Sequence, residues 1–142
     1  MNLYAESSAV LSWLLGEPDG ADVARHLRET TRIVASEITV LECHRVLVRA
    51  VTQSELSEAK ASKLRAMLER AQAHWTLFQV SEAVLSRARR PFPVEPIRTL
   101  DALHLATALT AREALGDLAL LTRDDRVRRA GHALGFELLP SD

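Results

Sequence analysis

Short apolar runs alternate along this chain with longer stretches of helical spacing. Residues 3–5, Leu-Tyr-Ala, read as a first strand, and "SAVLSWLLG" reads as a helix closed by Gly16. A "GEPDG" turn leads to a short helix in "DVARHLRE". "RIVAS", residues 32–36, is β-branched and bounded by polar residues, which suits a strand. The next stretch, "EITVLECHRVLVRAV", repeats apolar residues at 38, 41 and 48 and at 40, 47 and 51, the period of a helix. A long helix follows over 54–74, with Ser54 as its expected cap. "WTLFQV" is a strand, "SEAVLSRARR" a helix begun by Ser81, and "PFPVEP" a loop, because its prolines forbid regular structure. "TLDALHLATALTAREAL" is an almost wholly apolar helix expected to be capped by Thr99. "LALLT" is a strand, "DDRVRRAGHALG" a helix, and "FELL" a last strand.

Strands that are short and apolar throughout are covered on both faces. Alternation of such strands with helices predicts a parallel sheet between two helical layers. The expected fold is a three-layer α/β/α sandwich with a four- or five-stranded, mainly parallel sheet. Its 142 residues suit a single domain, 1–142, that buries one core without staples.

Composition narrows the function. Aromatic residues are only 4% of the chain, which leaves little for stacking bases, and the net charge of −1 gives no whole-molecule field toward nucleic acid or membrane. Of the 18 Lys and Arg residues only Lys60 and Lys63 are lysine, a bias that suits bidentate phosphate contacts and equally suits Arg-rich codon usage. Cys43 is alone, so the chain holds no disulfide framework. "AVLSWLLG" lacks the basic flank of a signal peptide, and no apolar run reaches the roughly 18 residues of a membrane span. The expected setting is the cytoplasm, with no membrane contact.

The acids carry the chemistry. Glu6 stands where the first strand stops, Glu42 in the helix after "RIVAS", Asp101 in the first turn of the most apolar helix, and Asp124 two residues beyond Thr122 at the end of "LALLT". Each alone has a plain structural role. Glu6 favours a helix start capped by Ser7 or Ser8, Asp101 does the same beside the Thr99 cap, Asp124 or Asp125 caps the next helix, and Glu42 pairs with Arg45 or Arg49. In a parallel sheet, however, all the junctions that follow strands share one rim. Carboxylates gathered there repel unless a hard cation neutralises them, and oxygen-only ligands suit Mg²⁺ or Mn²⁺. Acids holding one or two such ions are the apparatus of phosphodiester hydrolysis.

Four stretches, "NLYAESSAVLSWLLGEP", "ASEITVLECHRVL", "RTLDALHLATAL" and "LLTRDDRVRRAGHALGFELL", resemble in order the motif regions of the PIN-domain family. They are most similar to its VapC-type toxins of toxin–antitoxin pairs. The resemblance implies a Mg²⁺- or Mn²⁺-dependent endoribonuclease, a homodimer inhibited by a small antitoxin. It carries catalytic and metal-binding roles onto Glu6, Glu42, Asp101 and Asp124, and supporting hydroxyl roles onto Ser7 and Thr122. Arg98, Arg123 and Arg126 are the candidate RNA phosphate contacts. His104, one turn from Asp101, reads as a hydrogen-bonded core histidine, and Trp13 and Trp75 as core or dimer interface. The chain departs from the family at Glu6, where Asp is usual; the extra methylene adds roughly 1.5 Å of reach. That departure supports an alternative, a catalytically impaired PIN-like module that binds RNA or protein. A structure-specific DNA nuclease would need an insertion that this length does not provide.

Overall fold

The computed structural model describes residues 1–141; Asp142, the end of the expected 1–142 domain, lies outside them. Five strands form one sheet in the order β3-β2-β1-β4-β5: β1 (Asn2–Ala5), β2 (Arg32–Ser36), β3 (Thr76–Phe78), β4 (Leu118–Leu121) and β5 (Glu137–Leu139). Every pairing is parallel, with Tyr4 opposite Val34 on one side and Leu120 on the other. Among the described residues seven helices fill the connections: α1 (Ser7–Leu14), α2 (Gly20–Glu29), α3 (Glu37–Thr52), α4 (Glu58–Gln72), α5 (Glu82–Ala88), α6 (Thr99–Leu115) and α7 (Asp125–Ala133). The expected α/β/α sandwich is present with its strands and helices in the expected order.

The two-residue period of the strands splits the core in two. Leu3, Ala5, Ile33, Ala119 and Leu121 pack with residues of α1 to α4. Tyr4, Val34, Leu118 and Leu120 pack with α6, α7 and Phe92 of the proline loop. Trp13 and Trp75 lie half-buried against the first of these cores and line a common groove. Among the described residues no helix is long and apolar enough to cross a membrane.

Several local expectations are corrected. The cap of α1 is neither Ser7 nor Ser8: the Glu6 carboxylate accepts the Ser8 N–H at 3.0 Å. The fourth helix starts at Glu58 and is capped by Ser57, because Ser54 takes a left-handed φ of 59° in the turn that ends α3. Thr99 is the first residue of α6, and Arg98 precedes it with no side-chain cap. In α3 the stripe through Leu41 and Val48 faces outward, and Thr39, Cys43, Leu47 and Ala50 are buried instead. Thr39 fits there because its hydroxyl donates to the Ala5 carbonyl at 3.1 Å. A spacing of seven marks a helix face; it does not say which face meets the sheet.

Candidate functional site

The strand order reverses between β1 and β4, so these two strands flank the switch point where open α/β sheets leave a crevice at their C-terminal ends. Glu6 leaves β1 there, tied to β4 by its N–H on the Leu121 carbonyl at 3.0 Å. Its buried carboxylate gathers three donors on one oxygen. Oε2 accepts the Ser8 N–H, the Thr122 hydroxyl at 2.8 Å and, in a very short contact, the Ser8 hydroxyl. Ser8 Oγ in turn accepts the Arg123 N–H at 2.8 Å, and Thr122 Oγ1 accepts the Asp124 N–H at 3.1 Å. Two hydroxyls and one carboxylate thus join the ends of β1 and β4.

Glu42 approaches from α3. Its Oε1 accepts the Ser7 hydroxyl at 2.7 Å and lies 2.5 Å from His104 Nε2 on α6. His104 is 1% exposed, and its other ring nitrogen meets the Tyr4 hydroxyl at 2.8 Å. Burial pushes the Glu42 carboxyl up, but the hydrogen bonds from His104 and Ser7 outweigh it and leave the group below the usual carboxylate value. Neither Arg45 nor Arg49 is its partner; the expected arginine pairing is replaced by histidine and serine.

Asp101 stands in the first turn of α6 and Asp124 caps α7, its Oδ1 accepting the Val127 N–H at 3.0 Å. With Glu42 they line one open cleft of about 660 Å³, shared with Arg98, Thr99, Leu100, Asp125 and Arg126. Burial raises the Asp101 carboxyl above its ordinary value, and the negative charges of Asp124, Glu6 and Glu42 add to that rise. Asp101 therefore feels the other three acids named from the sequence. Three of the four line the cleft, and Glu6 lies buried beside it as cap and tie. Asp125 also lines the cleft, and the charge of its neighbour Asp124 raises the Asp101 carboxyl.

All the cleft's acidic donors are carboxylate oxygens, the set that suits a hard divalent cation and not zinc. Among the described residues no three His, Cys, Asp or Glu side chains close on one point. Arg98 and Arg126 flank the acids, whereas the Arg123 guanidinium is engaged by Asp19 at 2.7 Å. Three further polar members of the site, His104, Ser8 and Tyr4, belong to no acidic motif. The i, i+3 spacing from Asp101 brought His104 within view as a core residue, and it is both buried and bonded to a cleft acid. Ser8 reads from the sequence as a helix cap. Tyr4 carried no signal at all, since its partner lies 100 positions away.

Comparison with known proteins follows the same lines. The sequence profile described as "PIN domain" matches residues 3–133. Ribonuclease VapC46 of Mycobacterium tuberculosis is 36% identical over 137 residues, covering 96% of this chain and 95% of its own. Ribonuclease VapC35 of the same organism is 30% identical over 139 residues, with the same coverage of 96% and 95%. The solved toxin–antitoxin complex from Klebsiella pneumoniae contains a chain of the same fold, with a TM-score of 0.67 at 18% identity over 100% of this chain and 99% of that one.

Proposed function

The chain belongs to the PIN-domain family, and from that premise we propose that it is an endoribonuclease toxin of the VapC type. It acts as one domain in the cytoplasm, as a homodimer silenced by a small antitoxin. The observation that carries this reading is the cleft itself: Glu42, Asp101 and Asp124, from three different elements, line one opening, and the charges of the other two disfavour the ionised form of Asp101. The relatives named as ribonucleases over nearly their whole length support the same conclusion. An antitoxin partner is supported by the toxin–antitoxin complex that shares the fold.

Glu42, Asp101 and Asp124 would hold one or two Mg²⁺ or Mn²⁺ ions, with Glu6 adding negative charge from beneath. Such an ion, when bound, supplies Lewis-acid polarisation of the phosphate and a more acidic water. The chain's own part is positioning. Ser7 and His104 fix the Glu42 carboxylate, Thr122 and Ser8 fix Glu6, and the start of α7 fixes Asp124 through its cap. Arg98 and Arg126 give the RNA backbone two cationic contacts beside the acids. Calorimetric titration with Mn²⁺ tests the assignment: Asp101→Asn and Glu42→Gln weaken binding while both proteins remain folded. Wild-type affinity in both variants overturns it.

One observation favours a second reading, the binding-only module. Glu6 Oε2 already accepts three hydrogen bonds, as a helix cap would. If that is its whole role, Glu6→Gln leaves Mn²⁺ affinity unchanged. In the nuclease reading Glu6→Gln weakens Mn²⁺ binding, and Glu6→Asp keeps or raises the cleavage rate, since Asp is both the family's usual residue and a favoured cap.

A further inference from the structure

We propose that His104 is a positioning residue of the acidic cleft: clamped by Tyr4 at Nδ1, it pins one oxygen of Glu42 through Nε2 and leaves the other oxygen for a divalent cation. The proposal rests on the reading of Glu42 as a metal ligand.

The hydrogen-bond chemistry fixes the direction of this relay. An ionised carboxylate has no hydrogen to give, so the 2.5 Å contact between Nε2 and Glu42 Oε1 is a donation from the ring. In the neutral ring Nδ1 then carries the lone pair, and the Tyr4 hydroxyl at 2.8 Å donates to it. Tyr4 is fully buried, and burial holds its hydroxyl in the protonated form a donor needs. The two rings meet edge to face, 73° apart with centroids at 6.0 Å, so packing as well as hydrogen bonding sets the imidazole plane. The relay begins in the core beneath α6 and ends at the cleft.

The two donors to Glu42, Ser7 Oγ and His104 Nε2, both fall on Oε1. None of the described hydrogen bonds uses Oε2, and the side chain lines the cleft with 26% of its surface exposed. A glutamate has three rotatable bonds, and an unrestrained one would lose that freedom on taking up an ion. Pinning one oxygen beforehand removes much of that loss.

The test is a double-mutant cycle read by Mn²⁺ calorimetry on metal-free protein. His104→Leu should weaken Mn²⁺ affinity by about 10–100-fold, the usual cost of losing a partner that orients a ligand. His104→Gln, whose side-chain amide can donate from the Nε2 position, should recover most of it. Tyr4→Phe should give a smaller loss in the same direction. In a Glu42→Gln background His104→Leu should cost nothing further, because its route to the ion is gone. Wild-type affinity in His104→Leu, or the same loss with and without the Glu42 carboxylate, overturns the proposal. Wild-type affinity in Glu42→Gln would instead overturn the reading of Glu42 on which it rests. Should the leucine variant fail to fold, the ¹⁵N shifts of the wild-type imidazole decide: a hydrogen on Nε2 with bare Nδ1 is expected, and the opposite tautomer contradicts the relay.

Discussion

At the scale of single residues the cleft holds one carboxyl, that of Asp101, against its electrostatic preference. Its carboxyl lies above the ordinary value of 3.8, so the fold favours its protonated form. The stability this group contributes is complete below pH 3.8 and is lost as pH rises through the raised value. In metal-free buffer Asp101→Asn should therefore melt above wild type at pH 7, and the gap should close as the pH falls below that ordinary value. Melting curves in chelator at the two pH values check this; a wild type that is the more stable at pH 7 contradicts it. Saturating Mn²⁺ should reverse the order, since ligand binding stabilises only the protein that retains its site. The neighbouring pair is separable as well. Asp124→Asn keeps a good helix cap, so it should lose Mn²⁺ affinity at little cost in stability, while Asp125→Asn should leave affinity near wild type. Titration of both variants checks the assignment, and the reverse result moves the role to Asp125.

At the scale of elements, most of the fold was legible because strand and helix patterns differ in period, and prolines and glycines punctuate them. The end of α6 at Leu115, before Gly116, agrees with its reading for that reason. Faces and caps were less legible. Which stripe of α3 meets the sheet depends on packing that no local pattern encodes, and the cap of α1 is a glutamate because Thr122, 116 residues away, helps hold its carboxylate. Glu6, Glu42 and Asp124 could be gathered from strand order alone, since each follows a parallel strand, whereas Asp101 follows α5 and the proline loop. The Tyr4–His104–Glu42 chain could not, because it joins β1, α6 and α3 through side-chain directions. The second helix is a further case: it begins at Gly20, inside what reads as a turn. A Cβ on Gly20 would stand 2.4 Å from the Ser12 carbonyl oxygen, so only glycine lets α2 abut α1. Gly20→Ala should destabilise the protein by about 1–3 kcal/mol or more, because a backbone atom and not a flexible side chain must move. Denaturant unfolding measures this, and a loss under about 0.5 kcal/mol, the usual range of a surface change, would contradict the packing.

At the scale of the whole molecule, the net charge of −1 gives no general attraction to RNA, so binding must come from local cations beside the cleft. Arg98 and Arg126 are placed for that; Arg123 is engaged with Asp19. Removing either Arg98 or Arg126 should weaken RNA binding for all sequences alike and lower the salt-dependence slope by about 1. Arg123→Ala should change the slope less. Filter binding over a range of salt concentrations checks both, and an Arg123 effect larger than that of Arg98 would reverse the assignment. The account as a whole stands on the claim that the acidic cleft cuts RNA with a divalent ion. The most direct measurement is cleavage of total cellular RNA by the purified protein in Mn²⁺ and in chelator, with Asp101→Asn run alongside. Cleavage that needs Mn²⁺ and falls at least about 100-fold in a folded Asp101→Asn is the predicted result. Cleavage that survives the chelator, or that Asp101→Asn leaves intact, would contradict it.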